Sequence, residues 1–111
     1  MQLPDHIIAR LKHLACLYPL ARVQFRLPDA SDFFLEMSPK SGDGGGKSHQ
    51  VVSHFGHTQN PALTLEMAKG TLSAIWEGRL SARHAFLLGD IRYSGNRELA
   101  ASLADLFPAE H

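Results

Sequence analysis

The apolar positions change period twice along the chain. From Pro4 to Tyr18 they recur at helical spacing, with Ile7, Leu11, Leu14 and Tyr18 on one stripe and Ile8 and Ala15 on its flank. Pro4 suits the first helical position, Asp5 suits the positive end of the macrodipole, and Pro19 is expected to stop the helix. From Ala21 the period drops to about 2 residues. Ala21, Val23, Phe25 and Leu27 alternate with Arg22, Gln24 and Arg26, which predicts a half-buried strand. Pro28-Asp29 begins a turn. Over Asp32–Ser38, Phe33, Leu35 and Met37 alternate with Asp32, Phe34, Glu36 and Ser38. Phe34 breaks the polar set and is expected to sit under another element. Pro39 is expected to end this strand, and the short connection implies an antiparallel hairpin.

Ser41–Lys47 is a glycine-rich loop, expected to be flexible. A third strand follows over His49–Phe55, then a turn over Gly56–Pro61. A fourth strand spans Ala62–Met67, with Leu63, Leu65 and Met67 on one face. The helical period then returns. Leu72, Ile75 and Trp76 form the apolar face of a short helix ending at Gly78. Ser81 is placed to cap a second short helix carrying Ala85, Phe86 and Leu88, which stops at Gly89. Asp90–Ser94 reads as a short fifth strand with Ile91 and Tyr93 on one face. Asn96 suits the N-cap of a closing helix, Glu98 its first turn, and Leu99, Leu103, Leu106 and Phe107 its stripe. Pro108 ends it. The order α-β-β-β-β-α-α-β-α predicts an α+β fold, with an antiparallel sheet and helices on one face. There is no internal repeat and no domain linker, so residues 1–111 form one domain.

Composition narrows the function classes. In 111 residues, 44% are hydrophobic and 20% charged. A chain of this size buries roughly two-thirds of its surface. Eleven basic residues balance eleven acidic ones, so the footprint of a dedicated nucleic-acid binder is missing. The single cysteine excludes an internal disulfide and an all-cysteine zinc site. Cys16 falls opposite the helix stripe, beside Lys12. It is read as an idle surface thiol, with an interface thiol or nucleophile as the alternative. No apolar run is long enough to span a membrane. The opening MQLPDHIIAR does not read as a secretory signal and FPAEH carries no common C-terminal address, so the expected location is cytoplasmic.

Polar motifs are weak. The run Gly42–Ser48 resembles a phosphate loop, but Ser41 stands where the motif needs its first glycine, and a strand follows instead of a helix. His49, His54 and His57 cluster in sequence without a zinc spacing, and the odd separation puts His49 and His54 on opposite strand faces. They are read as solvated, as is His84 beside Arg83. No catalytic residue and no metal ligand is nominated, and no cofactor is implied. The distinctive signal is apolar: two short helices with glycine ends make a poor core of their own and suit a cover over a sheet, with room for an apolar ligand beneath.

The run Leu63-Thr-Leu-Glu-Met-Ala-Lys-Gly-Thr-Leu-Ser-Ala-Ile-Trp-Glu-Gly78 continues as Arg-Leu-Ser-Ala-Arg-His-Ala85-Phe86-Leu-Leu-Gly89, then as Asp-Ile-Arg-Tyr-Ser-Gly95-Asn96, with Leu99, Ala100 and Leu103 after it. Together they resemble the sterol carrier protein type 2 domain over residues 63–107. The resemblance implies a five-stranded, mostly antiparallel sheet covered on one face by helices, with an apolar tunnel between. It implies a carrier or accessory factor for a sterol, fatty acid, acyl-CoA or isoprenoid-type lipid, and no shared catalytic residues. Asp90 stands where the family commonly places a lysine. No peroxisomal tripeptide ends the sequence, which fits a stand-alone bacterial-type member.

The expected lipid-binding lining comes from Val23, Phe25, Phe33, Leu35, Leu63 and Leu65 on the strands, and from Leu72, Ile75, Trp76, Phe86, Leu103 and Phe107 in the cover. Gly70, Gly78 and Gly89 are the expected hinges of a lid over residues 70–88, with transient membrane contact during exchange. Two alternatives stand beside the carrier. One is an interaction module of a biosynthetic complex, with a filled core and with Phe34 and Cys16 as contacts. The other is an enzyme using the tunnel as a pocket, with Asp90, His84 or Tyr93 as its ionisable group.

Overall fold

The computed structural model describes residues 5–18, 20–40 and 48–108, without the side chains of residues 39, 40, 48 and 49. Pro4, Pro19, the Ser41–Lys47 loop and the His49 side chain lie outside the described residues. The chain forms α1 (Asp5–Leu17), β1 (Arg22–Arg26), β2 (Phe33–Lys40), β3 (Ser48–Phe55), β4 (Leu63–Glu66), α2 (Lys69–Trp76), α3 (Ala82–Leu88), β5 (Arg92–Gly95) and α4 (Arg97–Asp105). This is the expected α+β order. The strands form one sheet in the order β3-β2-β1-β4-β5. Every neighbouring pair is antiparallel except β1 and β4, which run parallel with Val23 opposite Leu63 and Phe25 opposite Leu65. One face is buried under the helices. Val23, Phe25, Phe33, Leu35, Leu63 and Leu65 all point into it, against Ile7, Leu11 and Leu14 of α1 and Leu99 and Leu103 of α4.

The strand ends depart from the pattern for local reasons. β2 runs through Pro39, which was expected to end it. Pairing with β1 stops at Glu36, so Pro39 lies where only β3 is alongside, and its missing N–H breaks no ladder on the other side. β5 starts two residues later than expected. The N–H groups of Asp90 and Ile91 both donate to the Ala85 carbonyl and so finish α3. Ile91 is buried there, while Tyr93 sits on the outermost strand and is 44% exposed. Leu88, read with Ala85 and Phe86 as part of α3, is exposed. The helix buries Ala82 and Ala85, and position 88 falls off that stripe.

Two polar-face assignments also change. Gln24, an alternating polar position, is buried. Its amide nitrogen donates to the carbonyls of Phe33 and Gly56, and its oxygen accepts from Thr58 N–H at 2.9 Å. The turn after β3 is thereby pinned across the sheet. Phe34 lies under no helix. Its ring stacks on His54, with centroids 5.0 Å apart, on the face away from the helices.

Three contacts position the cover. Ser81 Oγ accepts from His84 N–H, and Asn96 Oδ1 accepts from Leu99 N–H, as the sequence predicts for N-caps. α2 has no cap of its own, because Ala68 stands at its N-cap. Asp29, far away in sequence, accepts from Lys69 N–H at 2.9 Å instead. Gly95 (φ 109°) allows β5 to approach β4: a Cβ there would lie 2.5 Å from the Ala62 carbonyl oxygen, which accepts from Asn96 N–H.

Candidate functional site

α2 and α3 roof the sheet with few polar ties. Between them and the strands lies an interior space of about 30 Å³. Phe25, Leu35 and Leu65 line it from the strands, with Met67 just past β4. Leu72, Ile75 and Trp76 of α2, Ala82 and Phe86 of α3, and Leu103 of α4 close it from above. Leu11 of α1, Ile91 and Phe107 complete the wall. Nine of the twelve predicted lining residues are therefore here. Val23, Phe33 and Leu63 share the face but not the wall. Phe33 is filled against Phe25 (centroids 4.6 Å) and meets Trp76 edge-on. Val23 and Leu63 sit opposite one another, beside Gly95, where the sheet meets the start of α4. Leu11, Met67, Ala82 and Ile91 were missed as lining residues. Leu11, Met67 and Ile91 follow the same periodic stripes as their neighbours, and that signal would have found them.

No wall residue carries an ionisable group. The candidates Asp90, His84 and Tyr93 are all exposed and outside the wall. The chemistry on offer is apolar burial, worth about 0.8 kcal/mol for each methylene taken from water. The space is small against the roughly 300 Å³ or more of ordinary ligand sites, so a resident chain requires the cover to move outward. Gly78 (φ 78°) and Gly89 (φ 80°) end the two roof helices in left-handed turns, whereas Gly70 lies within the first turn of α2. Phe107, just past α4, links α1 and α3. Its carbonyl accepts from Ala82 N–H, and Arg10 of α1 lies over its ring, 5.7 Å from the centroid.

Charged pairs collect away from this site. Arg22 pairs with Glu36, and His54 lies 4.0 Å from the same carboxylate. Asp32 accepts from Leu27 N–H at 2.8 Å and from His57 Nε2 at 2.7 Å. The Leu27 amide first, and His57 second, hold the Asp32 carboxyl below its ordinary pKa. His57 is thus a hydrogen-bond partner of Asp32 that closes a loop, which its turn position in the sequence did not reveal.

A model of the SCP-2 sterol transfer family matches residues 8–108. The chain belongs to the SCP-2 sterol transfer family. Membership supports a role in lipid binding or transfer in general terms. Solved structures agree on the fold. The solution structure of palmitated SCP2L2 from Aedes aegypti superposes with a TM-score of 0.62 at 22% identity, covering 99% of this chain and 100% of that one. A ubiquinone synthesis protein described as UbiJ-SCP2 gives 0.60 at 11% identity, covering 86% of this chain and 76% of that one. The sec-alkylsulfatase Pisa1 from Pseudomonas sp. gives 0.59 at 15% identity, covering 96% of this chain. This chain spans only 14% of that sulfatase, and 13% of its double mutant. No curated protein matches the chain by sequence. Among the described residues, no helix is long and apolar enough to cross a membrane.

Proposed function

We propose that this SCP-2 family chain is a carrier or accessory factor that holds an apolar lipid between its sheet and its roof helices. The observation that carries the reading is the wall itself: a space lined by aliphatic and aromatic side chains, without an ionisable group, under two short helices with glycine ends. The palmitated Aedes aegypti protein, with the same fold, supports a single acyl chain as the kind of occupant. Burial of a dozen methylenes would contribute roughly 10 kcal/mol before ordering costs. The gain is spread along the chain, so the site selects for apolar length more than for a particular lipid. Phe86→Trp and Leu103→Trp, which fill the space, are expected to cut lipid binding while the fold survives. Circular dichroism checks the fold and displacement of a fluorescent fatty acid checks binding. Unchanged affinity in both variants sinks the reading.

The tight interior favours a second reading. A filled core would suit an interaction module of a biosynthetic complex, a role to which the UbiJ-SCP2 neighbour lends support. A chain that takes up no lipid and pulls down a fixed partner would establish it.

A further inference from the structure

Phe86 borders two spaces. Its inner side lines the apolar space of about 30 Å³ under the roof helices. Its outer side lines an open groove of about 410 Å³ between α3, α4 and the edge strand β5. Ala100 and Ala104 form part of the groove's α4 wall, and their short side chains leave the volume open. On the outside the Phe86 ring meets Tyr93 in a T-shaped pair, centroids 5.7 Å apart and planes at 79°. No hydrogen bond holds a phenyl ring in place, so Phe86 is held by packing alone and stands between the two spaces. The groove by itself is within the roughly 300–1,000 Å³ of small-molecule sites, and the apolar space behind Phe86 would extend it inward.

Two arginines line the same groove. Arg83 is already engaged by the Asp105 carboxylate. Arg97 has no ion-pair or hydrogen-bond partner among the described residues. The chain carries no net charge, so an anion gains nothing from the molecule's overall field. Its attraction to this place is local to Arg97.

We propose that this groove is the mouth of the internal site, that Phe86 is its door, and that Arg97 receives the anionic head of a single-chain amphiphile whose tail passes inside. The inference rests on the lipid-binding reading above and adds to it an entrance, a head-group chemistry and a direction of entry. The tail replaces water on the apolar wall. The head stays in the groove, where the guanidinium offers a planar pair of donors to a carboxylate. A neutral head leaves Arg97 unused.

The test compares laurate with 1-dodecanol, which share a tail length and differ in head charge. Affinities and association rates are measured for the wild type, Arg97→Gln and Phe86→Ala. Arg97→Gln is expected to weaken laurate about fivefold and to leave dodecanol where it was. Added salt should erode the laurate preference of the wild type and leave dodecanol alone. Phe86→Ala should speed the association of both probes, and Phe86→Leu carries the same test if the alanine variant does not fold. Equal effects of Arg97→Gln on the two probes, or none on laurate, overturn the head-group assignment. Association rates unchanged by both Phe86 variants overturn the door. If neither probe binds the wild type at all, the lipid-binding reading fails first and this inference with it.

Discussion

The two faces of the sheet are built by opposite means. The helix-covered face is apolar, and its roof is tied down by isolated hydrogen bonds, such as Lys69 N–H to Asp29 and Ala82 N–H to the Phe107 carbonyl, and by one exposed ion pair, Arg83 with Asp105. The other face is held by directional pairs: Gln24 with Gly56 and Thr58, Asp32 with Leu27 and His57, and Arg22 with Glu36. Apolar contacts are non-directional and tolerate sliding, whereas a buried amide with fixed partners does not. The contrast assigns rigidity to the strands and adaptability to α2 and α3. The proposed carrier role needs that division, because the frame would have to persist while the cover admits a ligand.

The largest expected effect comes from the covered face. Leu65→Ala should cost about 3 kcal/mol, as a fully buried leucine whose removal leaves a void. Urea unfolding measures it. Because the void adjoins the binding wall, added lipid should recover part of the loss. A cost unaffected by lipid would break the link between core and site.

Gln24→Ala is next, at about 2 kcal/mol, because it strands the Thr58 N–H and the Gly56 carbonyl. Its lipid affinity should match the wild type. A large change in affinity would mean that the two faces are not independent.

Asp29→Ala should cost about 1 kcal/mol through the lost cap of α2. Hydrogen exchange should rise at the α2 amides and stay unchanged in β1 and β2. Uniform acceleration across the chain would contradict a separately mobile cover.

The smallest effect is acid sensitivity at Asp32. Its pKa is lowered in the folded chain, so its contribution is complete above the ordinary carboxylate pKa of about 3.9. It is lost as the pH falls through the lower, folded value. Asp32→Asn should therefore flatten the stability curve below about pH 4, without altering lipid binding. A variant with the wild-type acid profile would remove Asp32 from the account.

The sequence made the covered face readable and left the other face obscure. Alternation placed Phe25, Leu35 and Leu65 on the buried side because a strand's period is a local property. Ser81 and Asn96 were readable as caps for the same reason: each bonds an amide three residues on. The Asp29 cap joins residues 40 apart, and the Gln24 bonds reach residues 32 and 34 away. No periodicity carries such information. Pro39 misled because its effect depends on whether β1 reaches that far along β2, which only the register settles. The site was legible as an apolar stripe, but Val23, Phe33 and Leu63 share that stripe without reaching the wall. Which members line a space depends on how the roof lies over them.

The central claim is that the space under α2 and α3 opens to hold a lipid. Native mass spectrometry of freshly purified protein, before and after solvent extraction, tests it most directly. The account predicts a discrete added mass of a few hundred daltons that extraction removes and that incubation with a fatty acid restores. A bare chain that stays bare after incubation with fatty acids, sterols and quinones would contradict it.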